Sequence, residues 1–160
     1  MNFKSASGAI EKMATFLATG FGIGKIPFAP GTFGSAAGLP ICYLISRMEL
    51  MHAFLATLFI LLFSIWIAHL AEKRFKINDP GEIVIDEIAG IVVTFFGLPF
   101  DPYYWVLGFI LFRIADILKP YPIRIIDRGI HGGWGIVLDD LLAGIYANLF
   151  LRGFGMLLTK

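Results

Sequence analysis

The sequence predicts an all-α fold: a polytopic membrane helix bundle of about five membrane helices, preceded by an N-terminal interfacial amphipathic helix. Three observations carry that expectation. Of the 160 residues 58% are hydrophobic and 16% charged, where a soluble domain carries about 45–50% and about 25%. The stretch from His52 to Ala71 contains no Asp, Glu, Lys or Arg and stops at Glu72, Lys73 and Arg74. Pro80, Pro99, Pro102, Pro120 and Pro122 fall between the apolar segments, where a missing N–H and a fixed φ disturb no helix interior. At roughly 20 residues per crossing the chain has room for at most about six spans, and it is read as a single domain over residues 1–160. The balance of 13 Lys and Arg against 12 Asp and Glu leaves no basic footprint for nucleic acid, and the apolar content excludes disorder.

The elements follow in order. Ile10, Met13, Phe16, Leu17 and Gly20 recur at helical spacing with Lys4, Glu11 and Lys12 off that face, which reads either as a helix lying at the membrane interface or as a cap packed on the bundle. The apolar stretch from Met13 to Phe28 is broken by Gly20, Gly22, Gly24, Lys25 and Pro27, so it is not read as a signal peptide. Gly34–Ile45 is short of the roughly 17 residues a crossing needs and must be extended by its flanks or be re-entrant. His52–Ala71, Ile83–Leu98, Tyr103–Leu118 and Trp134–Leu151 complete the five.

Five spans place Lys4, Lys12, Lys25, Lys73, Arg74, Lys76, Lys119, Arg124 and Arg128 on one side and Arg47, Arg152 and Lys160 on the other, with Arg113 inside a span. The positive-inside bias makes the first side cytoplasmic. Asp86, Glu87, Asp116, Asp127, Asp139 and Asp140 sit in or beside apolar segments, at a cost of about 3 kcal/mol for an Asp at a helix centre. In this topology Asp86 and Glu87 follow entry from the cytoplasm, Asp116 precedes return to it, and Asp139 and Asp140 follow the next entry. They share one depth. Asp86 and Gly90, like Asp140 and Gly144, are spaced i, i+4, which puts a small residue on the face of each acid for close helix approach.

Oxygen ligands without Cys or His suit a hard cation, Mg²⁺ where phosphate is also bound. The competing account pairs the acids with Arg113, Lys119, Arg124 and Arg128 as structural ion pairs. Those basic residues could equally hold phosphate. Lys25 and the stretch IPFAPGTFGS form a second candidate cradle: Pro30 and Gly31 as a turn, Thr32 and Ser35 as hydroxyl donors, a helix start beyond. His131, between Asp127 and Asp139, is a candidate general acid or phosphate contact; His52 and His69 read as interfacial or packing residues and Cys42 as a small buried hydrophobe.

APGTFGS at 29–35, DPGEIVIDEIAG at 79–90 and FRIADILKPYPIRIIDRGIHGGWGIVLDDLLAG at 112–144 resemble the phosphatidylglycerophosphatase A family of bacterial membrane lipid phosphatases. The resemblance covers about half of the chain. It implies Mg²⁺-dependent hydrolysis of the terminal phosphomonoester of phosphatidylglycerophosphate at the cytoplasmic face of the inner membrane. The family's polar residues fall on Thr32, Ser35, Asp79, Asp86, Glu87, Arg113, Asp116, Lys119, Arg124, Asp127, Arg128, His131, Asp139 and Asp140. On this reading Asp86, Glu87, Asp139 and Asp140 hold one or two Mg²⁺ ions, with Asp116 or Asp127 completing the shell. Lys119, Arg124 and Arg128 clamp the headgroup, with Lys25, Thr32, Ser35 and Arg113 as further phosphate contacts. Adjacent helix positions point about 100° apart, so one of Asp139 and Asp140 stands back from the ion; the glycine partner favours Asp140 as ligand. Metal-activated water or a carboxylate is the nucleophile. A small ion or proton conductor, or a structural membrane subunit, is the alternative, and acids at a single depth speak against a conduction path.

Overall fold

The computed structural model describes residues 3–77, 79–99 and 101–158, with the side chains of residues 3–7 and of 158 outside the description. Lys4 and Lys160, counted above for topology, fall outside the described side chains. Among the described residues the fold is wholly helical, with no strand. The helices are α1 (Phe3–Ala18), α2 (Pro30–Ser46), α3 (Leu50–Phe75), α4 (Ile85–Phe95), α5 (Pro102–Leu118), α6 (Ile123–Gly129) and α7 (Gly132–Leu158), with a single 3₁₀ turn at Ile23–Lys25.

Local chemistry sets the ends. Pro30 and Pro102 sit in first turns, where an N–H has no intrahelical partner to lose. Asp101 Oδ1 accepts from the N–H groups of Tyr103 at 2.9 Å and Tyr104 at 3.3 Å, satisfying two orphan donors of α5. Lys76 and Lys119 end α3 and α5 in the left-handed region, at φ 58° and 44°, and this turns the chain sharply out of each helix.

The short helix α4 is the centre of the bundle. It lies between α2 and α7, with α3 and α5 alongside, and Ile85, Asp86, Ala89, Gly90, Ile91, Val92, Thr94 and Phe95 are all buried. Close approach on both flanks depends on missing side chains. A Cβ on Gly144 would strike the carbonyl of Gly90, and one on Gly90 would lie 2.9 Å from the Asp140 carbonyl and 2.6 Å from Phe112. On the other flank a Cβ on Gly34 would lie 2.7 Å from Val84. At its far end α4 is closed by Asn148, whose Nδ2 donates to the carbonyls of Val93, Thr94 and Phe96 at 3.3, 2.9 and 3.0 Å.

α3 and α7 are each long and apolar enough to cross a membrane. The apolar segment expected over 34–45 is extended by its N-terminal flank into α2, 17 residues or about 25 Å long. One expectation needs correction. The segment expected over 83–98 is helical only from Ile85 to Phe95, about 16 Å, because Asn148 caps it there and Gly97 turns the chain at φ 66°. The N-terminal helix turns Ala14 and Ala18 onto α3 and leaves Ile10, Met13 and Phe16 more than half exposed. The small side chains permit the closer approach, so the large ones face outward. Leu44, Leu55, Phe59, Leu62, Trp66, Val106, Leu149 and Phe150 are exposed as well, an apolar perimeter of the kind that marks contact with a membrane or another protein.

Candidate active site

Three connections converge at one end of the bundle. Val84 N–H donates to the carbonyl of Ala18 at 2.9 Å, and a Cβ on Gly24 would collide with the carbonyl of Glu82, so the segments preceding α2 and α4 lie against each other. The third connection carries α6, a helix within the stretch 119–133 that the sequence reads as loop. Asp86 and Glu87 open α4, Arg113 and Asp116 lie in the last turns of α5, and Asp139 and Asp140 come about two turns into α7.

Carboxylate oxygens of Asp86, Glu87 and Asp140 lie within 4.8 Å of one another. Asp86 and Asp140 are 8% and 3% exposed, and Asp86 Oδ1, Glu87 Oε2 and Asp140 Oδ2 are buried without a hydrogen-bond partner. A buried anion left unpaired is costly, and three side by side repel one another as well. Hard oxygen donors in this number fit a divalent cation, which would neutralise the charge and satisfy the orphaned oxygens together.

The surrounding cations hold the rest of the acids. Arg113 Nη1 lies 2.6 Å from Asp116 Oδ2 and 3.9 Å from Glu87 Oε1, and donates to Ser35 Oγ at 3.3 Å; Ser35 in turn donates to the carbonyl of Gly31 at 2.8 Å. Gly31 is not a turn residue, as the sequence suggests, but the second residue of α2. A Cβ there would run into the Glu87 carboxylate and lie 3.0 Å from Arg113 Nη2, so its absence lets the first turn of α2 sit directly on the site. Lys119 Nζ bonds Asp127 and, at 2.6 Å, Asp139 Oδ2. Burial works against the charged ammonium, but the two carboxylates outweigh it and hold Lys119 above the usual lysine range.

The two acids of the LDDL stretch therefore divide: Asp140 turns to Asp86 and Glu87, while Asp139 turns to Lys119. For Asp116, Asp127 and Asp139 the ion-pair account describes what is found; for Asp86 and Asp140 it does not. His131 is exposed and joins Glu72, Asp79 and Asp127 around a cleft of about 140 Å³. Asp79 is open at its outer edge, yet the protein beside it removes enough water to push its carboxyl up. Asp127, Glu72 and Asp116 add to that and Lys119 opposes it. Arg124 and Arg128 are exposed on α6, flanking a groove that Lys119 also lines. Lys25 is exposed on the 3₁₀ turn and Thr32 half-buried in the first turn of α2. In the sequence Glu72 reads only as a stop signal at the end of an apolar run, and the role of Gly31 against Glu87 and Arg113 has no sequence signal of its own.

An acidic centre that could bind a metal, with Arg113 and Lys119 beside it at one end of a helical bundle, fits an enzyme that handles phosphate groups. Comparison with known proteins narrows this. Residues 16–154 match the phosphatidylglycerophosphatase A family. Phosphatidylglycerophosphatase A of Escherichia coli is 41% identical over 87% of this chain and 81% of its own. The Haemophilus influenzae protein of the same name is 39% identical over 82% of each chain. A Bacteroides thetaiotaomicron protein with the provisional name phosphatidylinositol-3-phosphatase is 34% identical over 87% of this chain and 91% of its own. No solved structure matches. The chain belongs to the phosphatidylglycerophosphatase A family and is an enzyme, a lipid phosphatase of phospholipid biosynthesis.

Proposed function

We propose that the chain hydrolyses the terminal phosphomonoester of phosphatidylglycerophosphate, giving phosphatidylglycerol and phosphate, with Mg²⁺ held by Asp86, Glu87 and Asp140. The single observation that carries this reading is the trio of carboxylates within 4.8 Å, with unpartnered oxygens, in a chain that matches the family over residues 16–154. Bound there, the ion would supply charge neutralisation at the phosphoryl oxygens and acidify a coordinated water.

The remaining steps belong to the protein. Arg113, held by Asp116 and Ser35, keeps its unpartnered Nε beside the carboxylates for a phosphate oxygen. Lys119 holds Asp139 and Asp127 in place and offers a further positive charge to the phosphoryl group under attack. Arg124 and Arg128 gather the headgroup from the surface, with Lys25, Thr32 and Ser35 on the opposite side. His131, beside Asp127, protonates the departing glycerol oxygen. The apolar perimeter supports residues 1–160 as one membrane-embedded domain, with α2, α3, α4, α5 and α7 as its five membrane helices. α4 needs no full-length span, because the carbonyls at its C-terminal end are satisfied by Asn148 rather than left to lipid. The basic residues at the site end support a cytoplasmic facing in a bacterial inner membrane, where a phospholipid would keep its chains in the bilayer and present its phosphate to the site. Nucleic acid has no place in this scheme.

The test is phosphate release from phosphatidylglycerophosphate by detergent-solubilised protein, with and without Mg²⁺, and with phosphatidylinositol 3-phosphate as the competing headgroup. Mg²⁺-dependent release favouring the glycerol lipid supports the reading. Release that is indifferent to divalent ions, or that favours the inositol lipid, rejects it.

A further inference from the structure

Two clefts meet at the mouth of the site. One, about 560 Å³, runs along α6 and is lined by Lys119, Tyr121, Arg124, Ile125 and Arg128. The other, about 520 Å³, descends the outer flank between α5 and α7, lined by Leu111, Ile114, Leu118, Tyr146, Leu149 and Phe150. Leu118 and Pro120 line both, and the Tyr146 hydroxyl donates to the carbonyl of Tyr121 at 3.0 Å, fastening the α5–α6 connection to α7 where the clefts join. The result is one amphipathic path: basic and open at the top, apolar for about two helical turns, or roughly 10 Å, below.

Two other apolar grooves lack this continuity. The groove between α2 and α5, about 480 Å³, is lined by Trp105, Phe109 and Ile110 and reaches Pro102, at the end of α5 remote from the site. The groove between α1 and α3, about 490 Å³, has only apolar lining. Apolar surface alone would not choose among the three, since lipid covers all of them equally. Charge chooses: only the α5–α7 groove leads into cations that complement a phosphate.

We propose that the α5–α7 groove is the seat of an acyl chain of the phospholipid substrate, and that Tyr146, Leu118 and Ile114 align the lipid so that its headgroup lies along Lys119, Arg124 and Arg128. The proposal rests on the phospholipid phosphatase reading. Its contribution is alignment rather than transfer out of water, because the chain leaves one apolar medium for another.

The experiment compares Ile114→Trp, which fills the groove from an exposed position, with Ile110→Trp, equally exposed in the α2–α5 groove. Phosphate release is measured from dioleoyl phosphatidylglycerophosphate and from its deacylated headgroup. Ile114→Trp should raise KM for the dioleoyl lipid about three- to tenfold and leave the deacylated compound unaffected; Ile110→Trp should change neither. Equal effects on both substrates, or equal effects of both variants, overturn the proposal. A second measurement needs no turnover: phosphatidylglycerol carrying a diazirine in its acyl chain is cross-linked to the wild-type protein. Label concentrated on 111–118 and 146–150 supports the groove even if neither compound is hydrolysed. Label spread evenly, or concentrated on α2 or α1, overturns it.

Discussion

The two ends of this bundle use similar side chains to opposite purposes. At the far end the amide and charged groups that close the helix ends are bonded within the fold: Asn148 closes three carbonyls of α4. Arg152 donates to Asn148 Oδ1 at 2.8 Å and to the Phe96 carbonyl at 2.8 Å, and Asp101 caps α5. At the site end Asp86, Glu87, Arg113, Asp139 and Asp140 each retain a buried atom with no partner. Polar groups finished among themselves hold a fold together. Charged groups left unfinished at a cost are what the proposed cation and phosphate would complete.

The largest way to break this contrast is Asp86→Asn or Asp140→Asn. Each should cut phosphate release at least about 100-fold, since even residues that only orient metal ligands are worth 10–100-fold, while thermal stability in detergent stays level or rises as a buried charge is removed. Normal turnover in both variants would make the trio structural. Next comes Gly144→Val, whose side chain meets the Gly90 carbonyl and Val93 and would push α7 off α4. It should lower kcat about tenfold or more and raise the Mg²⁺ concentration needed, because misplacement of a catalytic group by 1 Å is costly.

At the finished end Asn148→Leu should do the reverse. Exposing three carbonyls costs about 1–3 kcal/mol, or roughly 3–10 °C in midpoint, while the folded fraction keeps its turnover and Mg²⁺ dependence. The smallest effect belongs to Asp79. Its raised pKa means the folded state binds this proton more readily than the unfolded chain, so stability declines as pH climbs from the ordinary carboxylate value through the raised one. Asp79→Asn removes that loss. The variant should be slightly more stable than wild type at pH 7, by tenths of a kcal/mol at such an open site, and indistinguishable near pH 3.

Much of this was legible in the residues because membranes make sequence periodicity and charge placement expensive to violate. The apolar runs gave α2, α3, α5 and α7, and the i, i+4 pairing of Asp86 with Gly90 and Asp140 with Gly144 marks the face where α4 and α7 touch. What could not be read depends on partners distant in the chain. The end of α4 is set by Asn148, more than fifty residues away. The seat of the first turn of α2 on Glu87 and Arg113 requires the fold before Gly31 has meaning. The glycine partner points to Asp140 over Asp139, but that Asp139 is taken up by Lys119 shows only in the fold. For α1, the sequence leaves open whether the helix lies at an interface or packs as a cap, and only the fold shows that Ala14 and Ala18 meet α3 while Ile10 and Met13 stay exposed.

The central claim, that Asp86, Glu87 and Asp140 form a divalent-cation site, is tested most directly without catalysis. Mn²⁺, which takes the same oxygen donors as Mg²⁺, is titrated into the detergent-solubilised protein and the free ion is followed by electron paramagnetic resonance. Saturable binding is expected in the wild type and in Asp101→Asn, which removes a carboxylate at the far end, and should be lost in the Asp86→Asn, Asp140→Asn double variant. Undiminished binding in the double variant would contradict the account.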